Sequence, residues 1–223
     1  MTRGILIAGS ESTLLSAAAA EAAQRVESFA LAIIPNRFPI PGGVLPPSEK
    51  TSEKSMPISW NPASPISARS LIMAAENRMG QINNAVLICS PPAVFKTAEA
   101  LTPEEIETLV NDHIKGWFFL TRELALYFRR KGSGSLSFVA PDLGGGGKNT
   151  QTDILGLPAS ASFKTFAQGV FAQEQEPFQS MGFSYSEAGA EKEFTSWLFK
   201  IIDEGGKKNS GRWHKYAKYR FFR

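Results

Sequence analysis

Two histidines, one cysteine and four tyrosines carry most of the chemistry that this 223-residue chain could run near neutral pH. Cys89 stands alone, and His113 and His214 lie far apart. That excludes a disulfide framework and a thiolate zinc site, and it argues against a His-rich metal centre. His113 is the first residue to weigh as an acid or base, because imidazole titrates near neutrality. It has no evident partner in the sequence. A phenol four residues before a lysine puts both groups on one helix face. That spacing occurs once, at Tyr127 and Lys131. Ser160 and Lys164 repeat it with a hydroxyl, a far poorer acid. Gly144 to Gly147, followed by Lys148 and Asn149, has part of a phosphate loop. Asp142 stands where that motif starts with glycine and Asn149 where it ends in Ser or Thr, so the pattern fails twice.

These residues must be positioned by one domain of generous size. Hydrophobic residues make up 43% and charged residues 20%, enough apolar material for a substantial core. No apolar run reaches the ~18 residues of a membrane span, and a reducing, cytoplasmic setting is expected. The net charge of +3 is unevenly placed. Residues 207–223 hold seven Lys and Arg and no acid, so this tail carries +7 and the remainder −4. With Trp213, Tyr216, Tyr219, Phe221 and Phe222 interleaved, a nucleic-acid or membrane patch is one reading. A final strand and an arm packed on the body or on a second subunit is the preferred one, and neither membrane nor nucleic acid is the expected partner.

Apolar runs and helical periodicities alternate along the chain. Strands are expected at Gly4–Ala8, Phe29–Ile34, Pro57–Trp60, Ala85–Cys89, Leu136–Ala140, Phe183–Tyr185 and Arg212–Tyr216. Helices are expected over 12–26, around 68–79, and over 103–131, 158–180 and 190–203. The third is the best marked, with Thr102 as cap, Pro103 in the first turn, Glu105 reaching back, and Arg129-Arg130-Lys131-Gly132 at its end. A Pro/Gly/Ser-rich loop runs from Pro39 to about Ser55. This order predicts a single α/β domain over 1–223: a three-layer, doubly wound, Rossmann-like parallel sheet of about seven strands. Ligands in such sheets bind beyond the carboxyl ends of the strands, so Gly9–Thr13, Cys89–Pro92 and Ala140–Lys148 should converge on one cleft.

Several strings in this order resemble the short-chain dehydrogenase/reductase family, over nearly the whole chain. Residues 5–22 resemble its first strand, phosphate turn and helix. Met79-Gly-Gln-Ile-Asn83 resembles the entry to its fourth strand. Asp112-His-Ile-Lys-Gly116, with the aromatic helix that follows, resembles its long interface helix. Ala159-Ser-Ala-Ser-Phe163, with Gln173-Glu174 further on, resembles its active-site helix. The resemblance implies NAD(P)-dependent oxidoreductase chemistry, of the kind seen in ketoacyl reductases and hydroxyacyl-CoA dehydrogenases.

Carried over position by position, the chemical residues differ from that pattern. The three glycines of the phosphate turn correspond to Gly9, Thr13 and Leu15, and Leu15 is expected to set a branched side chain where a pyrophosphate would approach the backbone. The acid that would bind an adenosine ribose is missing after Pro35-Asn36. Arg37 would suit a 2′-phosphate, so NADP is the cofactor if there is one, and none is expected. The supporting Asn-Asn-Ala-Gly is Leu87-Ile88-Cys89-Ser90. The four members of the proton relay, Asn, Ser, Tyr and Lys, correspond to His113, Pro141, Ala159 and Phe163. The substrate-covering lid is short, because Glu191 follows closely on Ser186. The resemblance therefore implies a non-catalytic structural or regulatory subunit. It would pair with itself or with an active relative through helices 103–131 and 158–180, whose aromatic residues exceed one core stripe. An atypical active NAD(P)-dependent oxidoreductase is the alternative, as is a small-ligand or nucleotide sensor with Arg37 and Lys148 as anion contacts.

Overall fold

The computed structural model describes residues 4–26, 28–34, 53–142, 153–173, 176–185, 189–206 and 208–216. Arg37, the glycine run 144–147, Lys148, Lys207 and residues 217–223 of the basic tail lie outside them. Seven strands form one sheet: β1 (Ile5–Ser10), β2 (Phe29–Ile34), β3 (Ser55–Pro57), β4 (Asn84–Ile88), β5 (Ser135–Pro141), β6 (Gln179–Tyr185) and β7 (Trp213–Lys215). Their order is β3-β2-β1-β4-β5-β6-β7, and every pairing is parallel. The chain order reverses between β1 and β4, which opens a crevice at the carboxyl ends of those two strands.

Six α-helices cover both faces: α1 (Thr13–Arg25), α2 (Pro65–Met79), α3 (Pro103–Val110), α4 (Gly116–Lys131), α5 (Gly156–Phe171) and α6 (Glu191–Glu204). One face packs on α2, α4 and α5, around Trp117, Phe128, Phe138 and Phe163. The other packs on α1 and α6, around Phe29, Phe183, Phe194 and Phe199. β1 and β4 are buried along their full length, as strands covered on both faces must be.

The helix starts follow their sequence signals. Ser12 caps α1, its Oγ accepting the Leu15 N–H. Ser64 caps α2 ahead of Pro65. Thr102 and Glu105 make the reciprocal capping box of α3. Gly132, at φ 77°, closes α4 in the left-handed conformation that glycine adopts without penalty.

Four expectations need correction. The helix over 103–131 is interrupted by a π-helical turn at Asn111–Lys115, which divides α3 from α4. Gly116 follows that turn and lies so close to Pro62 that a β-carbon would overlap it. The helix expected over 158–180 is α5, Gly156–Phe171, and the chain then changes to strand. Pro177 cannot continue a helix, and Gln179–Tyr185 pairs with β5 along seven residues. β3 lies earlier than Pro57–Trp60. The Ile58 N–H still bonds the Leu31 carbonyl at 2.9 Å, and Trp60 leaves the sheet to pack against Trp117, ring centroids 5.7 Å apart. Finally, much of the aromatic excess is core. Trp117, Tyr127, Phe128, Phe163 and Phe178 are all buried, whereas Phe118 stacks on the half-buried Phe166 at the surface of α4 and α5.

Candidate functional site

The carboxyl ends of the strands meet at a cleft made of two adjoining cavities. The wider, about 360 Å³, lies between the start of α1, the β5 end at Pro141 and Asp142, the start of α5, and Tyr185 at the β6 end. The narrower, about 250 Å³, is lined by Ser10, Glu11 and Ser12, by Ser90 to Pro92, and by His113. Ser12, Ser90 and Pro91 line both. The segments after β1, β4 and β5 converge as the topology requires.

Gly9 sits at a close approach. A β-carbon there would lie 3.0 Å from Leu15 Cδ1 and 3.1 Å from Ile88 Cβ. Leu15 itself is buried in the α1–α6 side of the core. It lines neither cavity, contrary to the expectation that it would stand in the path of a pyrophosphate. The reason is helix geometry: Ser12, Thr13 and Leu14 face the cleft, and the next residue turns under the sheet onto Gly9.

The start of α1 is engaged by the chain's own groups. Ser12 Oγ takes the Leu15 N–H at 3.2 Å. Thr13 Oγ1 donates to Glu191 Oε1 at 3.2 Å, which brings a carboxylate from the start of α6 to the start of α1. Burial pushes the Glu191 carboxyl up, but hydrogen bonds from backbone N–H groups, Tyr185 and Thr13 outweigh it and leave the group below its ordinary value. Glu191 is therefore an anion at neutral pH, near the positive end of the α1 dipole. Asp142 pairs with Lys215 at 2.7 Å across the strand ends. Asp153 Oδ1 accepts the N–H groups of Val94 (2.8 Å), Leu155 (3.3 Å) and Gly156 (2.8 Å), fixing the loop that enters α5. Among the described residues no Lys or Arg lines either cavity, whereas Glu11, Asp142 and Asp153 do. A pyrophosphate at this turn would meet the Glu191 carboxylate at the helix start, with no Lys or Arg among the described lining residues to offset it.

The four relay positions fall in different settings. His113 is in the π-helical turn, 4% exposed, with Nδ1 3.5 Å from Ser10 Oγ. It thus has a partner, which the sequence could not show because Ser10 comes from β1. Burial lowers the imidazole pKa to about 4, so His113 is neutral at pH 7. Pro141 lines the wider cavity. Ala159 is fully buried beside Val94, Leu109 and Leu155. Phe163 is 1% exposed and meets Trp117 and Phe138 edge-on, at 5.3 and 5.6 Å between centroids.

The two lysine pairs play other parts. The Tyr127 hydroxyl accepts the Ile82 N–H at 2.9 Å while Lys131 Nζ donates to the Ile82 carbonyl at 2.8 Å. Together they clamp both backbone polar groups of Ile82 ahead of β4. Lys164 lies over the Trp213 ring, 5.2 Å from its centroid, and Ser160 is buried next to Cys89. Burial pushes the Cys89 thiol far up, so it carries no thiolate. Sequence reasoning missed Ser10, Ser12, Asp153 and Glu191 as site residues. Asp153, three residues before the first residue of α5, was the readable signal.

No protein-family model matches the chain, and no curated protein sequence does. Solved structures match its fold. A short chain dehydrogenase from Mycobacterium smegmatis superposes with a TM-score of 0.74 at 14% identity, covering 98% of this chain and 94% of that one. A short-chain dehydrogenase/reductase from Serratia marcescens gives 0.69 at 10% identity, covering 96% of each. The β3-to-β7 strand order, the cleft at its reversal and these superpositions agree that this chain has the short-chain dehydrogenase/reductase fold.

Proposed function

We propose that this protein is a non-catalytic structural or regulatory subunit of a homo- or hetero-oligomeric oxidoreductase, acting in the cytoplasm. The observation that carries this reading is the start of α1. There Ser12 Oγ takes the Leu15 N–H and Glu191 sets a carboxylate against the Thr13 hydroxyl, where a dinucleotide's phosphates would approach, with no cation in the cleft lining among the described residues. The relay positions support it. A buried alanine and a core phenylalanine, Ala159 and Phe163, offer no proton, and a desolvated His113 offers none near pH 7. β6 ends at Tyr185 and α6 begins at Glu191, which leaves only a short connection where a substrate-covering lid would be inserted.

The partner would dock on α3, α4 and α5. Ile106, Phe118 and Leu126 are exposed apolar side chains on the first two of these helices, and Phe118 stacks on Phe166 of α5 at 4.1 Å. Apolar area of this kind drives association when a second subunit covers it. Light scattering tests the proposal. A dimer or larger species is expected, alone or with an active relative of the same fold, and Phe118→Asp with Leu126→Asp should shift it to monomer. A wild-type protein that stays monomeric alone and with such relatives overturns the assembly.

A further inference from the structure

The narrower cavity has a lining that neither a dinucleotide nor an oligomer explains. Its polar groups are the carboxylate of Glu11, the hydroxyls of Ser10, Ser12 and Ser90, and the imidazole of His113. His113 is 96% buried, and its one hydrogen-bond contact is the Nδ1–Ser10 pair, so Nε2 has no partner among the described residues. The Glu11 carboxylate likewise has none there. The imidazole is uncharged at neutral pH. The walls therefore offer a carboxylate, three hydroxyl oxygens and, in the tautomer whose Nδ1–H donates to Ser10 Oγ, an acceptor at His113 Nε2, with no Lys or Arg among the described lining residues.

That set matches an ammonium group, which presents three N–H donors and one positive charge and needs only acceptors. It repels an anion. The adjoining wider cavity continues past the shared Ser12, Ser90 and Pro91 to Leu14, Leu157 and Tyr185, an apolar shelf that a hydrocarbon or aromatic body would cover. Asp153 adds a carboxylate on that side, and Asp142 there is paired with Lys215. We propose that the cleft binds a small organic amine, its ammonium group held by Glu11 and His113 in the narrower cavity and its apolar body lying in the wider one. The site stands whether or not the protein assembles with a second subunit.

Calorimetric titration with phenethylamine, phenethyl alcohol and phenylpropionate tests this. The three share a ring and differ in the charge of the head group. Saturable binding of the amine is expected, tighter than the alcohol by about tenfold, the worth of one charge-assisted hydrogen bond, with no binding of the carboxylate. Glu11→Gln, at a turn residue outside the core, should weaken the amine by about tenfold and leave the alcohol unchanged. His113→Asn should also weaken the amine, and circular dichroism confirms that each variant is folded. Equal affinity for amine and carboxylate, no saturable amine binding, or a folded Glu11→Gln variant that binds the amine as well as wild type would overturn the site.

Discussion

Replacing Phe163 by lysine asks most sharply what α5 does in this chain. The ring is 1% exposed and wedged edge-on between Trp117 and Phe138. Removing such a ring to alanine costs about 3–5 kcal/mol through lost transfer energy and a residual cavity. About 0.5–1.5 kcal/mol would come from each edge-to-face pair. Lysine fills some of the space but must either bury an ammonium or lose its proton. The ring's neighbours are apolar, so the lysine variant should be at least as damaged as the alanine variant. For a domain of this size about 1 kcal/mol moves Tm by roughly 2–4 °C. Phe163→Ala is therefore expected to melt about 10 °C or more below wild type by calorimetry. Phe163→Lys should melt as low or fail to fold, and Phe163→Leu should lose only a fraction of that. A Phe163→Lys protein melting within about 3 °C of wild type would refute the assignment of this position to the core, and with it the argument that the helix cannot host the relay.

Burial of neutral His113 makes stability fall in acid. Its folded pKa, about 4, lies below the ordinary 6.5, so between these values the unfolded chain binds more protons than the folded one. Unfolding free energy should then drop as pH falls from 6.5 to 4, by about 3 kcal/mol in all. Urea titrations of wild type and His113→Asn at pH 7 and 4.5 check this, and the variant should lack that share of the loss. Gly4→Ala should be poorly folded at 37 °C, because a methyl group there would overlap the Gln81 carbonyl oxygen beside the Gly4–Asn83 hydrogen bonds. Gly182→Ala should displace the Trp213 ring from β6, visible as a change in near-ultraviolet circular dichroism. Tyr127→Phe should cost about 1–3 kcal/mol in chemical denaturation, since it leaves the buried Ile82 N–H without its acceptor.

The strand positions could be foreseen because buried parallel strands read as short apolar runs, and Ile5–Ala8, Ala85–Ile88 and Leu136–Ala140 do so cleanly. Capped helices such as α3 were equally plain. Two elements were hidden. The first half of β6, Gln179-Ser-Met-Gly182, lacks β-branched residues and follows a helix with no glycine stop. The π-helical turn has no local signature, since its residues look helical, and the tight seat of the following Gly116 on Pro62 joins positions far apart in sequence. The cleft was legible as a place, through topology, but not as a chemistry. The contacts that define it join residues a hundred or more apart, Ser10 to His113 and Thr13 to Glu191. Sequence spacing carries no trace of such pairs. The fate of Leu15 was hidden differently, since its direction depends on how α1 lies on Gly9 and Ile88.

Under the proposed function no dinucleotide binds at the start of α1, where Ser12 takes the Leu15 N–H and Glu191 meets the Thr13 hydroxyl. Titrating the intrinsic fluorescence of the four tryptophans, two of which pack together as Trp60 and Trp117, with NADPH and NADH measures this directly. The account predicts no saturable change for either nucleotide into the millimolar range, after correction for absorbance. Saturable binding at micromolar concentration by the wild-type protein would contradict it.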